Sequence, residues 1–600
     1  MPKYSISQLL RIPSVSPWGG SLDVSPDGKL AALAWNKSGA WEIWLVSLDG
    51  QGKPKRITGG PESKSSPRFS PDGKRLAFLQ DHEGDENYDV HLYDLATGET
   101  RNAMPDTPDA LYDLISWSPD GEAIALISNR PGIFAAHVLD LTTGELHRLS
   151  HHPYSDGDVA WSPDGAHIAV VANTKGQDAN IFVIPARGGP ERPLTVDGLP
   201  VDAASPRWSP DGRRLAFVSW MHSNADIGVW ELDSDEVDWI STGKWDEEAP
   251  SWSPDGRQLV HTINRDGEVS LVIVEVNSGR RKKAAIEPGY HTDAHFTPDG
   301  RSLLAIFHNS RRPGDLWKLE LTSGQWTQLT NSLPAAIKPK DFSLPEVVRW
   351  KAPDGLTIPG LLFRPKGKAG RRPALLYVHG GPSWQTMFVW YPMIQMSLSE
   401  GWTVLCPNYR GSTGYGKAFQ TANRFVLGQA DIADIVAGAD YLVRQGLADP
   451  DRIGLTGASY GGYMTMAGLT RYPDRFAVGS AVVPYLNWFT EFASEREDLR
   501  YWDLQNMGDP EKDEERFREA SPIFFLDRVT APVQIIAGAN DPRCPAAETR
   551  QADEELARLG KVRETIIFPD EGHGFLKLKN KLTAYQRQMK FLKKYLKSPK

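Results

Sequence analysis

The chain has 600 residues, 40% hydrophobic and 24% charged, which is ordinary for a globular protein and too long for one core, so two or three domains are expected. A formal net charge of −9 without a basic block argues against a nucleic-acid partner, and no apolar run approaches a membrane span. Cys406 and Cys544, the two cysteines, offer no disulfide framework and no zinc cluster; with no secretion signal near Met1, the chain reads as cytoplasmic, without metal or cofactor.

Taken in order, the first half repeats itself. Ser-Pro-Asp-Gly occurs at Ser25–Gly28, Ser70–Gly73, Ser118–Gly121, Ser162–Gly165, Ser209–Gly212 and Ser253–Gly256, with Thr297-Pro298-Asp299-Gly300 as a seventh copy. Successive starts lie 45, 48, 44, 47, 44 and 44 residues apart. Proline presets φ and glycine accepts positive φ, so each copy reads as a solvated hairpin turn and none as a ligand site. An apolar alternation follows each turn, and a second hairpin recurs, as in Asp89–Thr100. Two hairpins per period make a four-stranded unit, and seven such units predict a closed seven-bladed β-propeller.

Proline-rich Leu333–Lys340 breaks the repeat. We place the boundaries accordingly: residues 1–14 an extension, 15–335 the propeller, 336–600 a second domain. There the pattern changes to continuous apolar runs, with strands expected at Thr357–Phe363, Ala374–Val378, Thr403–Pro407, Ile453–Thr456, Ala477–Val483, Val533–Ala537 and Glu564–Phe568. Helical spacing falls between them, one helix behind Asp431 as an N-cap and one carrying Tyr585, Met589, Leu592 and Leu596. The class is α/β: a doubly wound, mostly parallel sheet.

Gly457-Ala458-Ser459-Tyr460-Gly461 joins one of these strands to a helix, a tight turn that exposes the Ser459 hydroxyl. Asp541 and His573 follow two later strands, so serine, acid and base come in α/β-hydrolase order at one sheet edge. Ser459 is expected to attack, His573 to act as base and then acid, and Asp541 to orient the imidazole. Asp570 and Glu571, adjacent to the histidine, are poorer candidates for the acid. Donors for an oxyanion are expected from the N–H groups of Tyr460 and of Gly381 in His379-Gly380-Gly381-Pro382, with His379 a structural residue.

These motifs, together with Asn408-Tyr409-Arg410-Gly411-Ser412, Asn540-Asp541-Pro542-Arg543 and Gly572-His573-Gly574-Phe575, resemble the prolyl oligopeptidase family of serine peptidases, most closely its acylaminoacyl-peptidase branch. The resemblance implies hydrolysis of short peptides screened by the propeller, a homo-oligomer, and Arg543 holding a substrate carbonyl one residue upstream of the cleaved bond. Aromatic residues after the Ala477–Val483 strand, Tyr485 and Trp488, and further on Trp502, suggest a pocket for an apolar or aromatic side chain. The family's dipeptidyl branch uses paired glutamates, but Glu247-Glu248 occupies a repeat position that a solvated turn explains better. Action from a blocked amino end, internally or from the carboxyl end stays open, and so does a catalytically silent interaction platform. Trp384, Phe388, Trp390 and Tyr391 could line a substrate entrance or a subunit contact.

Overall fold

The computed structural model describes residues 3–597 apart from 18, 105–110, 131, 175–177 and 368–369. Each Ser-Pro-Asp-Gly copy turns the chain between the first two strands of a four-stranded antiparallel unit; in the first unit these are Leu22–Val24 and Leu30–Trp35, followed by Glu42–Ser47 and Lys55–Arg56. Five units are separate sheets. Two more, beginning at Asp246 and Tyr290, are linked by the single parallel pair Val269–Tyr290. Seven four-stranded units are thus present among the described residues.

Side-chain chemistry holds each turn. Ser25 Oγ donates to Asp27 Oδ1 at 2.7 Å and accepts from the Leu30 N–H at 2.9 Å. The same hydroxyl-to-carboxylate bond recurs in the later copies and holds each aspartate's pKa below its ordinary value. Neighbouring turns also touch. A Cβ built on Gly73 would stand 3.5 Å from the ring of Pro26, and the relation passes from turn to turn until Gly28 meets Pro298 at 3.5 Å, closing the circle.

The first and seventh units share no strand. Residues 14–16 link them: the Val15 N–H donates to Gly314 O at 2.9 Å, the Gly314 N–H to Ser14 Oγ at 2.9 Å, and the Ser16 N–H to Ala34 O at 2.9 Å. Innermost strands carry register shifts, with positive φ at Ser66, Leu114, Ser205, Ala249 and Asp293. Glu247 and Glu248 lie inside one of these strands, Asp246–Trp252, and not in a solvated turn as expected. Glu247 is buried because Arg281 and His261 pair with it.

The second domain is an eight-stranded sheet: β1 (Glu346–Lys351), β2 (Thr357–Phe363), β3 (Arg372–Val378), β4 (Thr403–Pro407), β5 (Ala448–Ala458), β6 (Val478–Val482), β7 (Val533–Gly538) and β8 (Arg563–Phe568). Its order is β1-β2-β4-β3-β5-β6-β7-β8, antiparallel at β1–β2 and β2–β4 and parallel elsewhere. The doubly wound expectation holds; β1 escaped it because its burial alternates weakly, only Trp350 being buried. Asp431 does not cap its helix. The cap of Ala430–Arg444 is Gln429, and Asp431 turns inward to accept from the Tyr460 hydroxyl.

The amino terminus docks on this domain. Ser5 and Gln8 form a capping box on the helix Ile6–Leu10, whose Ile6, Leu9 and Leu10 are buried in the cluster that also holds Met393, Phe591 and Leu592. Both ends of the described chain therefore sit in the hydrolase-like domain, with the propeller inserted between them. Among the described residues no helix is long and apolar enough to cross a membrane.

Candidate active site

Strand β5 ends at Ala458, and the helix Tyr460–Arg471 begins two residues later. Ser459 between them has φ 57 and ψ −127, a conformation that a non-glycine residue adopts only where its surroundings impose it. The imposition is visible at its neighbours. A Cβ on Gly457 would fall 2.5 Å from Val378 O, and one on Gly461 2.3 Å from the same oxygen, so only glycine lets the turn close against β3. Ser459 itself is only partly buried.

Asp541 and His573 follow β7 and β8 and meet across them. His573 Nδ1 lies 2.9 Å from each carboxylate oxygen of Asp541. Asp541 Oδ1 also accepts the N–H groups of Arg543 and Cys544, both at 2.9 Å, and its carboxylate is fully buried. Asp570 and Glu571 are engaged elsewhere: Asp570 with Lys577 and Asn580, Glu571 with the Leu576 and Lys577 N–H groups.

Cys544 is the residue that the sequence reading missed here. Its thiol is within hydrogen-bonding reach of the Ser459 side chain, and its Sγ, one Asp541 oxygen and one His573 nitrogen lie within 4.8 Å of one another. Burial, and then the charges of Glu491 and Asp541, push its pKa well up, so it stays a thiol and is no competing nucleophile. These three groups could in principle surround a metal ion, but the Asp541 oxygens are already taken by the imidazole and two backbone donors.

The loop after β3 supplies the opposite wall. A Cβ on Gly380 would lie 3.1 Å from Ser459 Cβ, so this backbone runs directly against the serine. His379 Nδ1 is 2.8 Å from Gly380 O and its Nε2 is 3.0 Å from Ser412 Oγ. Burial pushes its pKa down to about 4, so the ring is neutral, and an Nδ1–H tautomer donates to that carbonyl. Because a trans peptide sets C=O and N–H antiparallel, the bond also fixes the direction of the Gly381 N–H. Tyr460 is the first residue of its helix, so its N–H has no intrahelical acceptor.

Residues 389–599 match the sequence profile described as "Prolyl oligopeptidase family", and residues 201–341 match that described as "TolB beta propeller domain". The second domain therefore carries the peptidase domain of the prolyl oligopeptidase family. The chain is 27% identical to the "Uncharacterized peptidase YuxL" of Bacillus subtilis, over 92% of this chain and 93% of that protein. It is 26% identical to "Dipeptidyl aminopeptidase BIII" of Pseudoxanthomonas mexicana, over 94% of this chain and 85% of that one. Among solved structures, the fold is similar to puromycin hydrolase (TM-score 0.85, 20% identity, 99% and 96% covered) and to Pyrococcus horikoshii acylaminoacyl peptidase (TM-score 0.75, 23% identity, 100% and 98% covered).

In this peptidase the propeller reaches the triad cluster through one loop, residues 81–88 of the second blade. Glu86 accepts from Arg543 Nε with both oxygens at 2.8 Å and pairs with Arg496 at 3.3 Å. Arg543 is therefore held by an ion pair across the domains and is not a free surface residue. Gly84 of the same loop touches Gly572. Tyr485 and Trp488 are buried, and their rings continue a column of close aromatic contacts that runs from His379 through Tyr409, Tyr460 and Tyr463. Trp502 packs at the margin of the same core.

Proposed function

We propose that the peptidase cleaves short peptides through an acyl-enzyme on Ser459. His573 takes the serine proton as Ser459 attacks the carbonyl, and Asp541 stabilises the imidazolium. The N–H groups of Tyr460 and Gly381 receive the oxyanion; collapse expels the amine with a proton from His573, and water then releases the acid by the same steps. The observation that carries this reading is the His573–Asp541 pair set beside a strained, accessible serine turn.

Arg543, oriented by Glu86, supports holding the carbonyl one residue upstream of the cleaved bond, and Tyr485, Trp488 and Trp502 support an apolar or aromatic side chain at the cleaved residue. Glu86 already accepts from two arginines, which compete with a substrate ammonium, and this favours a blocked amino end, as in an acylaminoacyl peptidase. The expected reducing, cytoplasmic setting fits two buried free thiols. A homo-oligomer is part of the proposal, with sedimentation velocity as its check.

One observation favours a second reading, release of dipeptides from a free amino end. Glu491, Glu495 and Asp503 cluster in the helices after β6, and each has a buried oxygen without a hydrogen-bond partner, an arrangement able to accept an ammonium. A labelled fluorophosphonate, captured by the native protein and not by Ser459→Ala, tests the enzyme against a silent platform. Rates on acetyl-blocked and free-amino forms of one peptide then separate the two readings: faster turnover of the blocked form supports the first, and of the free form the second.

A further inference from the structure

A crevice between the domains is lined by residues that the triad does not use. One part, about 240 Å³, has walls of Tyr290, Trp384, Trp390 and Tyr391 and shares Trp41 and Lys581 with a second recess beside Phe575. The charged residues lining the two parts are Arg11, Lys37 and Lys581, and no aspartate or glutamate lines either. Lys581 stands in the first turn of the helix Leu578–Leu596, whose dipole adds to its field. Among the described residues its ammonium has neither ion pair nor hydrogen bond. Glu571, the acid whose charge it feels, is occupied by the Leu576 and Lys577 N–H groups and by Asn580. Two more nitrogens on the walls, His308 Nε2 and Trp390 Nε1, are buried without partners, His308 being only 3% exposed.

Unsatisfied buried donors are costly, and an ammonium in aromatic surroundings gains most from an anion that brings apolar surface with it. The crevice is also close to the candidate chemistry. Trp384 is three residues past Gly381 and Phe575 two past His573, and at roughly 3.5 Å per residue the chain can separate neither from its loop by more than about 11 Å. Two or three residues of extended peptide cover that span.

We infer that the crevice holds the free carboxyl end of the peptide being cleaved, with Lys581 as counter-ion to the terminal carboxylate and the aromatic walls around an apolar last side chain. This rests on the peptidase reading given above and extends it to the leaving side of the cleaved bond. It makes the protein selective for peptides that end within two or three residues of that bond, because a longer chain would carry its terminal charge past Lys581.

The test compares acetyl-blocked peptides that differ only in a terminal phenylalanine carboxylate or carboxamide, on the native protein and on Lys581→Met and Lys581→Ala, with a p-nitrophenyl ester as the reference that has no peptide leaving group. Expected is a kcat/KM for the native protein roughly tenfold or more higher on the carboxylate, the size of one charge-assisted hydrogen bond. Both variants should lose that preference while keeping the ester rate and the amide rate within about twofold. Equal native rates on the two peptides, or a preference that survives in Lys581→Met, overturn the inference. Calorimetric titration of Ser459→Ala with N-acetylphenylalanine and its amide reads the crevice without catalysis. Binding of the acid that depends on Lys581, alongside equal native rates, would assign the crevice to an independent small carboxylate and also overturn it. A native protein inactive on the ester would instead sink the peptidase reading, and the titration would still report on Lys581.

Discussion

Gly84 of the propeller and Gly572 of the hydrolase domain are in backbone contact: a Cβ built on Gly572 would fall onto the Gly84 carbonyl, and one built on Gly84 would lie 2.9 Å from the Gly572 nitrogen. The residue after Gly572 is His573. Gly572→Ala must therefore push either the propeller loop or the base. The expected outcome is a fall of about a hundredfold in the rate of fluorophosphonate labelling, since misplacing a reacting group by about 1 Å costs that much. An unchanged labelling rate would mean that the interface yields instead of His573.

Asp541→Asn keeps the shape of the acid and removes its charge. A drop in kcat on the order of 10³–10⁴-fold is expected at neutral pH, with native-like thermal stability, because an amide at this position no longer enforces the Nδ1–H tautomer. Glu571→Gln serves as the control and should leave kcat within about tenfold of native. A larger effect at Glu571 than at Asp541 would reverse their assignment.

Arg543→Lys retains the charge but loses the Nε–H that engages both Glu86 oxygens and the remaining guanidinium donors. On acetyl-blocked peptides kcat/KM should fall roughly tenfold, mostly through KM, whereas an ester of acetate, which has no upstream carbonyl, should be cleaved at the native rate. Equal losses on both substrates would place Arg543 in the architecture of the site and not in substrate binding.

Asp431 yields a pH prediction. Burial raises its pKa from 3.8 to about 7, and the Tyr460 hydroxyl bond offsets only part of that. The folded state therefore keeps a proton that the unfolded chain releases between those two values, and stability from this group is lost as pH rises through that window. Asp431→Asn, which can still accept from Tyr460, should become more stable relative to native by on the order of 3 kcal/mol between pH 4 and pH 7.5, read from urea midpoints at each pH. A difference that stays flat over that range would refute a protonated Asp431.

The ring was legible in the sequence, and the candidate triad could be proposed from it, because both are written in local chemistry. Proline, aspartate and glycine specify a turn wherever they occur together, and Ser459, Asp541 and His573 lie one, three and five residues past strands whose apolar runs announce them. The errors lie where distant chain segments meet. Glu247 looked solvated because nothing near it in sequence reveals Arg281 beneath it, and Asp431 looked like a cap because its real partner, Tyr460, is 29 residues away. Glu86, more than 400 residues from Arg543, carried no signal at all, and Cys544 was read only as a cysteine without a disulfide or zinc partner. The approach of Gly84 to Gly572 was equally hidden, since glycine in a turn and glycine at an interface look alike in one sequence.

The join between the first and last blades has a mechanical meaning. Residues 14–16, the Gly20 and Ser21 N–H groups on Asp293 and an apolar cluster shared by the two blades make it, so, like most seams of the ring, it is closed by packing and not by a shared strand. Residues 14–16 continue from the helix anchored in the opposite domain, so a tilt between the domains would be felt at this seam.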